Sequence, residues 1–466
     1  MQVIKTDKGY VSGTVIGEPG QEVSIFRGIP YAAPPVGPLR WRPPQPAAPW
    51  QGIRECTQYA GISPQVNTDP TIPHLARTED CLYLNVVTPA KKANEKLPVM
   101  VWMHGGAYFA GCGNDKMWNG YRLPQHGVVV VSSTHRLGPI GLLAHPEISK
   151  ESPKGVSGNY LFLDLIASLQ WVQNNIAAFG GDPKNVTIFG ESGGGAKVAM
   201  MMVSPLAKGL FHKAICESGT TAFISPGKPL GEMENYGAKL FDKLGVKTLQ
   251  EARQVPWEKI LNAGEDLATP GGPAGKPLPV WDATIDGQVL PQLPMTLFET
   301  GAINTVPLIV CANLGELIGP NPFLVPFLIP AYGKMLEAMV QAGFPGYAAI
   351  FDRVPSHWRK QGGVSFHAIE LPYVFGDWDN SSGWWGVIIN SMQFGDVKNR
   401  DIILDADDKF VSETMMNLWT SFAKNGKPKA KGIPDWPIYD KGADKYLYIN
   451  EKPEVKTGFS KIVPNK

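Results

Sequence analysis

The chain alternates between short apolar runs and longer segments whose apolar residues recur at helical spacing. Residues 97–106 (LPVMVWMHGG) and 127–136 (GVVVVSSTHR) are nearly continuous apolar runs, which is typical of strands buried on both faces. Residues 161–181 (LFLDLIASLQWVQNNIAAFGG) carry apolar residues at helical spacing and end at a Gly-Gly pair, so they predict an amphipathic helix with its stop signal. Two more strands are predicted at residues 185–190 (NVTIFG) and 305–313 (TVPLIVCAN).

This alternation of strands and helices predicts the α/β class, with a central, mostly parallel sheet flanked by helices. We interpret residues 1–466 as a single domain, because no internal repeat is visible and large α/β enzymes often use such a length for one domain. Residues 221–279 are richer in glycine, proline and charge, and residues 314–365 are apolar but broken by prolines. Both segments are expected to be insertions that cover the active site.

Composition excludes several classes of function. A formal net charge of +1 without a dense basic run gives no electrostatic basis for binding nucleic acid or an anionic membrane. The longest apolar stretch, residues 317–332, contains four prolines and cannot form a membrane-spanning helix. The first residues (MQVIKTDKGYVSG) lack the apolar core of a signal peptide and have the alternation of a strand. We expect a cytoplasmic protein if Met1 is the native start, and a secreted or periplasmic one if a signal peptide was trimmed.

Cysteine spacing gives no support for a metal site. The five cysteines form no CxxC pair and no Cys/His cluster with metal-ligand spacing: Cys56, Cys81, Cys112, Cys216 and Cys311. An odd count leaves at least one free thiol, and buried, reduced cysteines are the simplest interpretation. We expect neither a metal nor an organic cofactor.

A glycine-rich segment follows the strand predicted at residues 185–190. It is not a phosphate-binding P-loop, because Gly195 is followed by Ala-Lys-Val where that motif requires Lys and then Ser or Thr. Its glycine spacing also differs from the GxGxxG of dinucleotide-binding proteins. Residues 190–194 (GESGG) instead match GxSxG between a strand and a helix, a strained turn that lifts a serine clear of the sheet. The pattern predicts Ser192 as a nucleophile, with the next backbone N–H facing a developing oxyanion.

A nucleophilic serine needs a base, and hydrolases with this turn carry the acid and then the histidine after the serine. Of the three histidines that follow Ser192, His212 comes too early to leave room for an acid-bearing strand, and His357 lies among charged residues. His367 lies in GGVSFHAIELPYVFG, a loop of small residues before an apolar helix. We therefore predict His367 as the base.

The acid is expected just past a strand, where it can reach the histidine. Glu316 directly follows the strand predicted at residues 305–313 and is the favoured acid. Asp282 and Asp286, in VWDATIDG, are its rivals, although the Asp-Gly pair at residues 286–287 is typical of a turn.

An oxyanion needs a second source of backbone N–H groups. Residues 104–108 (HGGAY) follow a predicted strand and match the HGGG-type loop that supplies them in such hydrolases. We interpret His104 as a residue that orders this loop by hydrogen bonding, with a role as ligand or base as the alternative.

The sequence also contains candidates for a substrate pocket. Lys197 lies one turn past the serine, near the positive end of a helix, where a cation is disfavoured. It is interpreted either as half of a buried pair with a carboxylate or as a cation that serves an acidic ester. Aromatic residues after the acid and after the histidine suggest an apolar pocket, with packing in the core as the alternative. The pocket candidates are Tyr108, Lys197, Phe323, Trp378 and Trp384.

Motifs over nearly the whole chain resemble the type-B carboxylesterases, the cholinesterase-like branch of the α/β-hydrolases. They include FRGIPYAAPPVGPLRWRPPQP, EDCLYLNV, HGGAY, GNYLFLDLIASLQWVQNNIAAFGGDP, GESGGG and FHAIELPYVFG. The resemblance implies the α/β-hydrolase fold with helical and loop insertions over an active-site gorge. It implies a triad of Ser192, Glu316 and His367, and an oxyanion hole formed by three backbone N–H groups: Gly106, Ala107 and Gly193.

The resemblance also implies structural pairings away from the chemistry. Buried ion pairs are expected between Arg40 and Glu79 and between Arg136 and Asp164, and a disulfide is expected between Cys56 and Cys81. Three features depart from the family pattern. Leu317 follows the acid where the family has glycine, and the spacing from Glu316 to His367 is shorter than is common, so reduced helical cover over the gorge is expected. Glycine also stands at position 193 in place of alanine, with Lys197 at a position usually filled by a small or neutral residue.

The expected activity is hydrolysis of small to medium apolar or aromatic carboxylic esters through an acyl-enzyme. An amidase or lactonase with the same machinery is one alternative, and a catalytically inactive, cholinesterase-like binding module is another. The expected partner is a small-molecule ester, with no nucleic acid and no membrane span.

Overall fold

The structure is a computed structural model that describes residues 3–65, 75–224, 226–269, 278–318, 321–322, 325–378 and 401–462. Among these residues no helix is both long enough and apolar enough to cross a bilayer.

The strands of the described residues are, in chain order, β1 (Val3–Lys5), β2 (Tyr10–Ser12), β3 (Thr14–Ile16), β4 (Val23–Pro30), β5 (Ile53–Glu55), β6 (Tyr83–Thr88), β7 (Leu97–Met103), β8 (Val129–Ser133), β9 (Gly181–Glu191), β10 (Lys213–Glu217), β11 (Lys228–Pro229), β12 (Ala268–Thr269), β13 (Leu278–Pro279), β14 (Thr284–Ile285), β15 (Leu308–Asn313), β16 (Leu317–Ile318), β17 (Asn321–Pro322), β18 (Gly346–Phe351), β19 (Lys445–Ile449) and β20 (Glu454–Thr457).

The α-helices of the described residues are α1 (Arg122–Gln125), α2 (Gly138–Leu142), α3 (Pro146–Glu151), α4 (Tyr160–Asn175), α5 (Gly193–Val203), α6 (Thr221–Ile224), α7 (Leu230–Leu244), α8 (Leu249–Gln254), α9 (Trp257–Glu265), α10 (Pro294–Thr300), α11 (Val325–Gln341), α12 (Ser356–Arg359), α13 (Leu371–Phe375) and α14 (Ala406–Asn425).

An 11-stranded sheet dominates the fold, in the order β20-β19-β18-β15-β10-β9-β7-β8-β6-β4-β3. The strands from β19 to β8 in that order pair in parallel, and the pairs beyond them at both edges are antiparallel. This arrangement confirms the predicted α/β class and its mostly parallel sheet. The predicted strands at residues 97–106, 127–136, 185–190 and 305–313 correspond to β7, β8, β9 and β15.

Apolar packing on both faces of the sheet explains the continuous apolar run of its central strand β7. Val99 and Val101 of β7 pack into one buried cluster with α4, α5 and α11, while Met100 and Trp102 pack into a second cluster with α13 and α14. Successive residues of a strand point to opposite faces, so a strand covered on both sides needs a continuous apolar run. The helix predicted at residues 161–181 is shorter than its pattern, because α4 ends at Asn175 and a 3₁₀ turn leads to Gly180.

The interpretation of residues 314–365 as an insertion is wrong for part of that segment. Strand β18 lies inside it and pairs in parallel with β15 and with β19, so this part belongs to the central sheet. All six residues of β18 are buried. The run GYAAIF is short, begins with glycine and follows a proline-broken region, so its sequence does not stand out as a strand.

Both ion pairs implied by the resemblance are present. Arg136 donates from Nη2 to Asp164 Oδ1 over 2.6 Å and from Nε to Asp164 Oδ2 over 2.8 Å, with both side chains completely buried. Arg40 Nε donates to Glu79 Oε1 over 2.6 Å, also inside the protein. Burying a charge without a partner costs free energy. Each arginine therefore requires its carboxylate partner, and each carboxylate requires its arginine.

The expected disulfide is absent, because Cys56 and Cys81 are both free, buried thiols. The backbone of Cys56 is held between β2 and β4 by hydrogen bonds to Ser12 and Arg27. The thiol of Cys81 instead lies beside Ser63 and the Arg136–Asp164 pair. Burial raises the thiol pKa of Cys56 to about 11, which also disfavours the thiolate needed for oxidation.

We expect Asp164→Ala to lower the free energy of unfolding by about 3–5 kcal/mol, because it leaves the Arg136 guanidinium buried without a counter-charge. The matched control is Glu299→Ala, which breaks a pair with Lys334 whose side chains are 50% and 52% exposed. That change is expected to cost less than about 1 kcal/mol. Guanidinium unfolding of both variants measures the difference, and equal losses would contradict the importance of the buried pair.

Candidate active site

The chemistry-bearing segments lie where parallel strands of the sheet end. Residues 104–108 follow β7, Ser192 follows β9, Glu316 lies just beyond β15, and His367 lies in the connection after β18. The carboxyl ends of parallel strands open at one edge of a sheet, and ligands bind there in open α/β folds. The topology therefore brings together segments that are far apart in the sequence.

Ser192 forms the sharp turn between β9 and α5. Its backbone has φ 57° and ψ −123°, a conformation that L-residues rarely adopt. Its N–H donates to the carbonyl of Glu217 over 2.8 Å, and its own carbonyl accepts the N–H of Ala196 in the first turn of α5. The side chain of Ser192 is half-buried. The strained strand–turn–helix geometry is the one that GxSxG predicts.

Glu316 and His367 meet in a buried hydrogen bond. The Nδ1 atom of His367 lies 2.6 Å from Glu316 Oε2, and the backbone N–H of Asn313 donates to the other carboxylate oxygen over 2.7 Å. Glu316 has φ 38°, so a strained backbone turn after β15 aims the carboxylate at the imidazole. Asp286, the rival acid, instead accepts the N–H groups of residues 288–290 and caps a turn.

The other ring nitrogen of His367 lies beside a second carboxylate. His367 Nε2 lies 3.1 Å from Oε1 of Glu191, the residue immediately before Ser192. Burial acts to lower the pKa of the imidazole, but the carboxylates of Glu191 and Glu316 outweigh it and raise the pKa to about 9. Burial also raises the pKa of Glu191, against the attraction of the imidazole.

Further buried acids surround this centre, and sequence reasoning missed them together with Glu191. Glu370 lies three residues after His367 and accepts hydrogen bonds from Asn313 Nδ2 over 2.5 Å and from Ser218 Oγ over 3.3 Å. Glu217, at the end of β10, accepts from Trp419 Nε1 over 3.1 Å. Burial, helped by the charge of Glu316, raises the pKa of Glu370 to about 7. Their one sequence signal is a charged residue inside or next to an otherwise apolar run.

The glycine loop after β7 packs directly against the first turn of α5. Gly106 and Ala107 have φ values of 81° and 50°, so two successive peptides turn in the left-handed region. A Cβ atom on Gly193 would lie 2.5 Å from the backbone nitrogen of Ala107. The glycine at position 193, which departs from the family pattern, therefore permits a backbone approach that alanine would block.

Two of the predicted pocket residues do not line an open pocket. Lys197 has no exposed surface, and Tyr108 is 1% exposed. Lys197 Nζ donates to the carbonyl oxygen of His104 over 2.8 Å and lies 5.8 Å from the centre of the Tyr108 ring. No carboxylate among the described residues forms an ion pair with Lys197, so the structure gives no support to its interpretation as half of a buried pair.

His104 and His135 complete a buried basic group beneath the same loop. Their rings stack with centroids 4.4 Å apart, and His104 Nδ1 lies 2.9 Å from the carbonyl oxygen of Gly105. Burial lowers the pKa of both imidazoles, and the neighbouring Lys197 lowers each further. Burial likewise holds the pKa of the Lys197 amine well below its usual range.

Of the remaining pocket candidates, Trp378 alone lies among the described residues. Trp378 packs edge-on against Tyr373, with ring centroids 4.4 Å apart, at the margin of the cluster around α13 and α14. Phe323 and Trp384 lie outside the described residues. Within the described ranges, no group of three or more His, Cys, Asp or Glu side chains is arranged to hold a metal ion.

The sheet order and the serine turn after a central parallel strand define the α/β-hydrolase fold. The sequence profile of the carboxylesterase family matches residues 1–328 and 325–463, and the chain belongs to that family.

Named relatives agree with this assignment. The chain is 31% identical to a para-nitrobenzyl esterase of Bacillus subtilis over 100% of its own length and 99% of the relative. It is 33% identical to a fumonisin B1 esterase of Sphingopyxis macrogoltabida, over 92% of this chain and 84% of that one. A solved structure of PNB esterase superimposes with a TM-score of 0.82 at 30% identity, covering 98% of this chain and 97% of that chain. The protein is a serine hydrolase of carboxylic esters.

We expect the His367 imidazole to titrate well above its ordinary pKa, because two carboxylates flank it. Glu191→Gln removes one of them and keeps the shape, so the pKa of His367 should fall toward the usual value. NMR of ¹³C-labelled histidine measures the titration, and a spectrum of His367→Asn assigns the resonance. An unchanged pKa in Glu191→Gln would mean that Glu191 carries no charge in the native state.

Proposed function

We propose that Ser192 is the nucleophile, His367 the general base and Glu316 the acid that orients it. The observation that carries this proposal is the 2.6 Å contact between His367 Nδ1 and Glu316, with Nε2 on the other side of the ring beside Glu191, the residue before Ser192. A base oriented in this way by a third group is the arrangement that activates a serine.

The proposed reaction runs in two stages. His367 in its neutral form, which predominates only above its raised pKa, takes the proton of Ser192 while the serine oxygen attacks the ester carbonyl, and the same proton then goes to the leaving alcohol. An acyl-enzyme remains, and a water molecule deprotonated by His367 releases the carboxylic acid. The imidazolium that forms in each stage lies between Glu316 and Glu191, whose carboxylates stabilise its charge.

We assign the oxyanion hole to the backbone N–H groups of Gly106, Ala107 and Gly193. The support is the close packing of Ala107 on Gly193, which places the glycine loop beside the residue after the serine. Backbone donors held by a packed loop need no reorganisation when charge develops on the carbonyl oxygen.

The proposed substrates are small to medium carboxylic esters with an apolar or aromatic group. Two similar proteins are named for para-nitrobenzyl and fumonisin B1 esters, which supports an ester bond as the target.

We also assign the whole chain to one domain, with residues 221–279 and the part of residues 314–365 outside β18 covering the site. Tyr332 of α11 supports this cover, because its hydroxyl accepts the N–H of Gly219 next to the buried acids.

We expect Ser192→Ala to abolish ester hydrolysis, leaving at most a residual enhancement of about 10³–10⁴ over water. Hydrolysis of p-nitrophenyl acetate and labelling by a fluorophosphonate measure the loss of the nucleophile. A folded variant that retains the wild-type rate would exclude Ser192. A paired assay of an ester and the matching amide then tests whether ester bonds are preferred.

A second pair of variants tests the acid. Glu316→Gln should lower kcat by at least about 100-fold, because it removes the charge that stabilises the imidazolium while keeping the shape. Asp286→Asn is the matched control, since Asp286 caps a turn and should affect kcat little. The reverse ranking of kcat values would move the acid to Asp286.

A further inference from the structure

Lys197 is a buried cation-forming residue without a counter-ion among the described residues. It lies in α5, one turn after Gly193, and is completely inaccessible to solvent. Burial of an amine costs free energy unless its hydrogen bonds are replaced. Its described partners are the carbonyl oxygen of His104, 2.8 Å from Nζ, and the face of the Tyr108 ring.

These two partners mark the ends of the loop at residues 104–108. His104 is the first residue after β7, and Tyr108 follows Ala107 directly. The amine therefore contacts both ends of the segment whose middle residues carry the proposed oxyanion donors. A single side chain from α5 thus contacts both ends of the loop.

The first turn of α5 holds the same loop through its backbone. A Cβ atom on Gly194 would lie 1.9 Å from the carbonyl oxygen of Met103, and one on Gly193 would lie 2.4 Å from Cα of Ala107. Lys197, one turn further along α5, adds contacts to His104 and Tyr108. Helix α5, which begins directly after Ser192, therefore also packs against the loop at residues 104–108 and holds it in place.

We propose that Lys197 is a positioning residue for the oxyanion hole, which it holds in register with Ser192 through the His104 carbonyl and the Tyr108 ring. This inference rests on the proposed function, since it takes the N–H groups of Gly106 and Ala107 as oxyanion donors. Lys197 touches neither substrate nor reacting atoms.

The consequence is a selective effect on the transition state. Donors that shift by a fraction of an ångström still leave room for the neutral ester, but they stabilise the oxyanion less. Loss of the amine should therefore lower kcat while KM changes little. A lysine that served only the fold would instead change stability and leave the reaction unaffected in the folded fraction.

The test uses Lys197→Met, which keeps the length and apolar stem of the side chain and removes the donor. We expect kcat for p-nitrophenyl acetate to fall about tenfold with KM nearly unchanged. The melting temperature should stay equal or rise, because a buried amine is replaced by a thioether. Lys197→Leu serves as a second variant and is expected to give the same kcat effect.

Two ketones separate oxyanion stabilisation from ordinary binding. A trifluoromethyl ketone accepts the Ser192 oxygen on its carbonyl carbon, the Ser192 proton passes to His367, and the alkoxide occupies the oxyanion hole. The methyl ketone of the same carbon skeleton binds mainly without this addition. We expect Ki for the trifluoromethyl ketone to rise about tenfold in Lys197→Met, in parallel with kcat/KM, and Ki for the methyl ketone to stay constant.

The matched control is Lys213→Met, which removes another buried lysine whose amine contacts Asn185 at the opposite end of the sheet. Its kinetics should equal those of the wild type. Unchanged kcat and unchanged Ki in both Lys197 variants, or equal weakening of both ketones, would overturn the positioning role. Failure of the proposed function is distinguishable, because wild-type protein would then form no adduct with the trifluoromethyl ketone and Ser192→Ala would keep its activity.

Discussion

The parallel hydrogen-bonded ladder from β8 to β19 is the constraint on which the rest of the structure depends. It forces the carboxyl ends of β7, β9, β15 and β18 to the same edge, although the loops that follow them are widely separated in the chain. The helices that connect these strands cover both faces of the sheet. Polar side chains at the edge are therefore buried in an apolar surrounding, which strengthens every charge interaction among them.

Two sets of buried ionisable groups lie close to the segments around Ser192. Carboxylates gather around His367, where Glu191 and Glu316 flank the imidazole and raise its pKa. A buried basic group of Lys197, His104 and His135 lies beneath the glycine loop. In the proposed mechanism positive charge develops on the imidazole and negative charge on the substrate oxygen. The protein thus has acids beside the imidazole. Beside the substrate oxygen it has backbone donors, and the basic residues lie behind those donors.

Particular residues show why sequence reasoning succeeds at some positions and fails at others. Strand β7 and the serine turn are predictable, because continuous apolar burial and a strained turn each demand specific residue types over a few neighbouring positions. Strand β18 is not recognisable from the sequence, because it is only six residues long and lies between prolines. The pairing of Cys56 with Cys81 is implied by relatives, but the two thiols have different neighbours in this protein. The role of Lys197 escapes prediction because its partner is a backbone carbonyl, which leaves no mark in the sequence.

By itself the sequence determined the fold class, and it predicted the serine turn, the preference for Glu316 over Asp286 and the choice of His367, because each of these depends on local patterning and on chain order. Only the tertiary structure decided that Glu191 lies beside the imidazole, that Glu217 and Glu370 are buried near it, and that Lys197 holds the glycine loop. These contacts join residues from different strands and helices. Their existence depends on the packing of the sheet edge, and no spacing along the chain encodes it.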